Sequence, residues 1–169
     1  MIGGDTMPTE EENRQHCCCF IGHRPKYLDI SEEKMRQWLA IRIDKAIRDG
    51  YTTFITSCAR GVSIWAGEIV LQKKAEHPNI RLTAAIPWPG YADDWEQEWQ
   101  DKYKNLLSRA DLAVNVSDHF HKDAIRQRNK WMVDHCNRLI AYLIVPGSET
   151  FNTIDYALHK GLELYINTY

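Results

Sequence analysis

No run in this chain of 169 residues approaches the ~20 consecutive apolar residues that a membrane-spanning helix needs. An excess of one charge sign is also missing: 21 Lys and Arg against 23 Asp and Glu leave a formal charge of -2. A balance of this kind provides no overall attraction to nucleic acid or to an anionic membrane, although a local basic patch stays compatible with it. A disulfide framework is lacking as well. The cysteines number five, an odd count, and three are contiguous at Cys17-Cys18-Cys19, which suits a reducing cytoplasm. Met1 to His16 is polar and has no apolar segment of signal-peptide type, so it is expected to be a frayed leader. No repeat, low-complexity tract or linker divides the remainder, and 17–169 is expected to form one domain around one core.

What the chain does have is alternation. Short apolar runs trade places with longer amphipathic ones about five times, the pattern of a parallel sheet flanked by helices. Strands are expected at Cys17–Ile21, Tyr51–Thr56, Ile80–Ile86, Leu112–Val116 and Leu139–Val145, with Leu162–Ile166 as an edge strand. Between them, Ser31-Glu32-Glu33 offers a cap oxygen and first-turn acids. Met35, Leu39, Ile43 and Ile47 then share one helical face until Gly50. Further helices are expected from Gly61 to about Glu76, from about Ala92 to Ser108, from Ala124 to about Cys136 and from Thr150 to about His159. The expected fold class is α/β: a Rossmann-like three-layer sandwich with a mainly parallel sheet of about five to six strands and helices on both faces.

Such a sheet projects every strand exit from one edge, where open α/β folds bind ligands and helix N-termini present free N–H groups. The exits here carry unusual residues. Gly22-His23-Arg24-Pro25 follows the first strand: the glycine lets a ligand approach the backbone, and the guanidinium matches the oxygens of an anion. Ser57-Cys58-Ala59-Arg60-Gly61 follows the second, where Arg60 can reach a phosphate, Gly61 can approach it and Ser57 can add a donor. Pro87-Trp88-Pro89-Gly90 follows the third, and Pro146-Gly147-Ser148-Glu149-Thr150 the fifth. The helix after the fourth strand carries Arg128-Asn129, which serve either as a structural network or as an anion-steering cation and a sugar- or base-reading amide.

Taken together, these motifs resemble the YpsA-like family of the SLOG superfamily of Rossmann-like domains, kin to the DNA-processing protein DprA and the Lonely Guy phosphoribohydrolases. The resemblance rests on Gly22-His23-Arg24, Ala59-Arg60-Gly61-Val62, Ile86-Pro87-Trp88-Pro89-Gly90, Arg128 to Asp134 and Thr150 to Ala157, and covers about Cys17 to Gly161. It implies a nucleotide-derived ligand at the loop edge, without supplying a reaction. On this basis Gly22, Arg24, Arg60, Gly61 and Thr150 are expected on the phosphate side. His23 would orient a phosphate or ribose oxygen, and Trp88 and Asn129 would face the base.

The sequence departs from the family pattern in two places. Ser57 stands at the first glycine and Ser63 at the aspartate of Gly-x-Ala-x-Gly-x-Asp, and Ser148-Glu149-Thr150 keeps only the threonine of Gly-Gly-Thr. Glu149 puts a negative charge beside the expected anion, and Ser63 cannot titrate near neutral pH. The Lonely Guy motif Pro-Gly-Gly-x-Gly-Thr-x-x-Glu is also broken, with Thr153 where the glutamate would fall.

A binding domain, acting as sensor or regulator, is therefore the leading expectation. An N-glycosidic hydrolase or transferase ranks below it and would need Glu68 or one of Asp93, Asp94, Glu96 and Glu98 against a sugar. A DprA-like nucleic-acid adaptor ranks third. The expected partner is thus a small nucleotide-like molecule rather than nucleic acid or membrane, and a homodimer is compatible with the tryptophan content. No metal site is expected: successive strand side chains alternate faces, so Cys17-Cys18-Cys19 cannot converge on one ion, and His119-Phe120-His121 and His135-Cys136 lack zinc-type spacing. Cys58 is read as a small buried residue rather than a nucleophile.

Overall fold

A computed structural model describes residues 10–167. Its six strands form one parallel sheet in the order β4-β3-β2-β1-β5-β6. The strands are β1 (Cys17–Ile21), β2 (Thr53–Thr56), β3 (Arg81–Ile86), β4 (Leu112–Asn115), β5 (Arg138–Ala141) and β6 (Glu163–Ile166). Register follows the apolar residues: Cys18 pairs with Phe54 on one side of β1, and Cys19 with Leu139 on the other. All five residues of β1 are buried, as a strand covered on both faces requires.

The helices are α1 (Glu10–Gln15), α2 (Glu32–Arg48), α3 (Val62–Lys73), α4 (Gln97–Arg109), α5 (Ala124–Asp134) and α6 (Glu149–His159). One sheet face packs against α2, α3 and α4 through residues such as Met35, Leu39, Ile64, Ile69 and Leu106. The other packs against α5 and α6 through Met132, Val133, Ile154 and Ala157. The three contiguous cysteines divide accordingly. Cys18 enters the first core, and Cys17 and Cys19 enter the second.

Local chemistry accounts for the helix boundaries. Ser31 caps α2 by accepting a hydrogen bond from the Lys34 N–H at 3.2 Å, a contact worth about 1 kcal/mol. Nine of the twelve residues of α3 are buried, because it lies between α2 and α4 and against the sheet. Gly61, at φ +95°, supplies the sharp entry to that helix.

Several boundaries differ from the sequence reading, each for a visible reason. Glu10–Gln15, read as part of a frayed leader, forms a short exposed helix with its acids in the first turn; the leader's residues 1–9 lie outside the described residues. The fifth strand stops at Ala141 because side chains bind the backbone beyond it. The Leu143 N–H donates to Asn167 Oδ1 at 2.6 Å, and the Ile144 N–H donates to His23 Nε2 at 3.0 Å. The helix expected from Ala92 begins at Gln97, since residues 87–96 turn around an aromatic cluster in which Tyr91, Trp95 and Tyr103 meet edge to face.

This topology locates the site. Chain order runs outward from β1 to β4, then returns to the other side of β1 with β5. The adjacent exits of β1 and β5 diverge to opposite faces, which opens a crevice at the carboxyl edge.

Candidate functional site

A cavity of about 300 Å³ occupies that crevice. Gly22, His23 and Arg24 reach it from the β1 exit, Ser57 and Arg60 from the β2 exit, Arg128 and Asn129 from α5, and Thr150 from the first turn of α6. Residues expected from four separate stretches of sequence therefore share one hollow. Gly61 and Trp88 are not among its lining residues.

The β1 corner is tightly fitted. A Cβ on Gly22 would lie 2.5 Å from Val62 Cβ, and one on Gly61 would lie 2.5 Å from the His23 carbonyl oxygen. Both glycines thus serve the approach of the β1 exit to the start of α3. For Gly61 the close neighbour is the chain itself, where sequence reasoning expected a ligand.

His23 is 7% exposed and acts as a strap. Its Nε2 accepts the Ile144 N–H at 3.0 Å and the Val145 N–H at 3.3 Å, joining the β1 exit to the β5 exit. An accepting Nε2 places the proton of the neutral ring on Nδ1. Burial also pushes the imidazole pKa below its usual value, in agreement with a neutral ring. The expected role at a phosphate or ribose oxygen is thus unavailable to Nε2, which is committed to the backbone.

Arg128 forms the floor. It is 2% exposed, and its guanidinium donates from Nε to Asn129 Oδ1 at 2.8 Å and from Nη1 to the Ser57 carbonyl at 2.8 Å. The same group lies 5.6 Å from the centre of the Tyr91 ring. No carboxylate pairs with it among the described residues. The amide nitrogen of Asn129 and the hydroxyl of Thr150, both in residues buried to 95% or more, likewise have no protein acceptor among the described residues and stand at the cavity wall.

Arg60 behaves differently. Its Nη1 donates to Glu96 Oε2 at 3.0 Å, and its guanidinium lies 4.8 Å from the Trp95 ring centre. Backbone hydrogen bonding, followed by this contact with Arg60, holds the Glu96 carboxyl below its usual range. Part of the Arg60 charge is therefore answered within the protein, although its buried Nε has no hydrogen-bond partner among the described residues, and Arg24 stands exposed at the rim.

The two serines that depart from the family pattern meet. Ser57 Oγ donates to Ser63 Oγ at 2.7 Å, while the Ser57 carbonyl holds Arg128. The changes at positions 57 and 63 thus form one contact, with a hydroxyl pair in place of a glycine and a carboxylate. At the opposite wall, Ser148 caps α6 by accepting from the Phe151 N–H at 3.2 Å, and its hydroxyl donates to the Val145 carbonyl at 2.7 Å.

The acids considered for glycosidic chemistry do not converge here. Glu68 pairs with Arg36 at 2.6 Å, Glu96 is bound to Arg60, and Glu149 supplies the carboxylate among the lining residues. Cys58 lies at φ +57° and is fully buried, and burial pushes its thiol up to about 12, which disfavours a thiolate at this residue.

Sequence reasoning missed Tyr27 and Tyr91, which both line the cavity. Tyr27 sits in the 3₁₀ turn Pro25–Tyr27, and Tyr91 directly follows the third exit motif; position beside those motifs was the available signal. Trp88 had drawn attention instead. Its ring packs edge to face on Tyr91 and Phe120 at 5.1 and 4.9 Å between centroids.

A family model described as the YspA SLOG family matches residues 18–163. The chain belongs to that family. A UPF0398 protein of Ligilactobacillus salivarius is 27% identical over 135 residues, covering 78% of this chain and 73% of its own length. A UPF0398 protein of Staphylococcus epidermidis is 23% identical over 108 residues, covering 63% of this chain and 57% of its own, so the chain spans little more than half of that relative. Among solved structures, DNA processing protein A from Streptococcus pneumoniae is similar with a TM-score of 0.66 and 14% identity, over 90% of this chain and 50% of the other. DNA processing protein A from Helicobacter pylori, described for its single-stranded DNA binding mode, gives a TM-score of 0.64 at 12% identity over 93% and 66%. At these identities the likeness is one of fold. In this SLOG member, no helix among the described residues is long and apolar enough to cross a membrane.

Proposed function

We propose that the crevice between the β1 and β5 exits binds the anionic part of a nucleotide or nucleotide-derived metabolite. Arg128 carries this reading. Burying an unpaired guanidinium costs several kcal/mol, and the two neutral acceptors it has here offset only part of that cost. An anion in the cavity would complete its coordination. Arg24 would close over the same group from the rim, Thr150 and the N–H groups of the first turn of α6 would add donors, and Asn129 would read a sugar hydroxyl or base edge. Tyr91 and Tyr27 offer ring faces for the remainder of the ligand in place of Trp88.

Arg24→Ala tests the reading without disturbing the core, because Arg24 is exposed. Calorimetric titration of the wild-type protein with nucleoside phosphates and ADP-ribose derivatives should show binding, weakened by about 10- to 100-fold in the variant, the size of one charge-assisted hydrogen bond. Absence of binding by every one of these probes would refute it.

A second reading, as a nucleic-acid adaptor, draws on the fold likeness to the Helicobacter pylori protein and on a neighbouring hollow of about 200 Å³. Arg24, Pro25, Lys26, Arg60 and Trp99 line that hollow, together with the Glu96 carboxylate. Cations interleaved with an aromatic face suit a single strand, and such binding would fall steeply between low and moderate salt.

A further inference from the structure

Three arginines line the cavity, but the charge they leave for a ligand is smaller than three. Arg60 is paired with Glu96 at 3.0 Å, and Arg24 also acts on that carboxylate. Opposite them, in the first turn of α6, stands Glu149. Its side chain is 45% exposed and touches Arg126 of α5 at 3.4 Å, a contact between two half-exposed groups that binds weakly. Arg126 therefore compensates the Glu149 carboxylate only in part.

Arg24, Arg60 and Arg128 set against Glu96 and Glu149 leave a net charge near +1, which matches a ligand of limited charge. A phosphomonoester already answers that net positive charge, and each further phosphate would add negative charge in excess of it. Volume acts in the same direction. About 300 Å³ is at the small end of ligand cavities and suits one sugar phosphate with part of a base. A carboxylate can only accept hydrogen bonds, and the hydroxyls of a ribose are the donors such a ligand brings.

We propose that Glu149 is a specificity-determining residue that restricts the cavity to ribosyl ligands with a single phosphate, by repelling additional phosphates and accepting from a sugar hydroxyl. This rests on the anion-binding reading above. The buried hydroxyl of Thr150 gives the phosphate a neutral partner on the same wall, so selection falls on the charge of Glu149 rather than on the helix end alone.

The test is a calorimetric comparison of adenosine mono-, di- and triphosphate and ribose 5-phosphate on the wild-type protein, Glu149→Gln and Arg126→Gln. Wild type should prefer the monophosphate over the triphosphate by about tenfold or more. Glu149→Gln should bring the two within about threefold, mainly by tightening the triphosphate. Arg126→Gln frees the Glu149 charge and should widen the gap. Both positions are exposed, so unchanged thermal melting is expected to accompany these shifts. Binding with no preference among the phosphates, or a preference that Glu149→Gln leaves unchanged, overturns this inference alone. No binding by any probe overturns the anion-binding reading and this inference with it.

Discussion

The two corners of the cavity are built on opposite principles. At the β1 corner, Gly22 and Gly61 have no room for a Cβ, since the nearest atoms would lie at 2.5 Å. At the α6 corner, Gly147 has a positive φ of +71° but nothing within 4 Å of where a Cβ would stand. The first corner is a packing solution that admits little variation. The second is an open turn whose following residues, Ser148 and Glu149, are constrained mainly by capping and charge. His23 connects them, with its backbone carbonyl against Gly61 and its ring accepting from Ile144 and Val145. On the proposed anion-binding reading, selectivity lies at the α6 side and the rigid reference for it at the β1 side.

The largest expected effect that could break this contrast is that of Gly61→Ala. A side chain at φ +95° with the His23 carbonyl in its path should destabilise the fold by about 3 kcal/mol in denaturant unfolding. A loss below about 1 kcal/mol would show that the corner is not tightly fitted.

The connecting strap comes next. His23→Ala would leave the Ile144 and Val145 N–H groups without their acceptor and should cost about 1–3 kcal/mol. Its pH dependence has a defined sign. The folded imidazole is held below its ordinary value of 6.5, so the unfolded chain takes up its proton first as pH falls. The stabilisation is complete above that value and is lost as pH drops through the lower folded pKa. His23→Gln retains an acceptor but does not titrate, so its stability should decline less than that of the wild type between pH 7 and pH 5.

Gly147→Ala should have the smallest effect, about 1 kcal/mol, because only the left-handed conformation opposes it. Equal losses at Gly61 and Gly147 would erase the difference between the corners.

Much of this arrangement was legible beforehand. The β1 boundaries agree with the sequence reading because Cys17–Ile21 is an uninterrupted apolar run ended by glycine and a polar loop. The helix over Glu32–Arg48 was equally plain, since Ser31, the first-turn acids and the apolar spacing agree with one another. Less legible was anything decided by a distant partner. Val145 is β-branched and follows an apolar run, yet it leaves the sheet because a histidine 122 positions away takes its N–H. Glu96 and Arg60 are 36 residues apart, and no local pattern signals that one answers the other. Trp88 stood in the right loop for stacking, but the choice between it and Tyr91 depended on which ring Phe120 would cover.

By itself, the sequence determined the alternation of strands and helices, the burial of β1 and the set of polar residues at the strand exits. These follow from periodicity, propensity and turn chemistry within a few residues of each position. Only the tertiary structure decided that the β5 exit returns beside β1, and that Arg128 ends buried with no carboxylate paired to it among the described residues while Arg60 finds one. Charge compensation acts over a few ångströms of space regardless of separation along the chain, so which cation remains for a ligand is settled by packing.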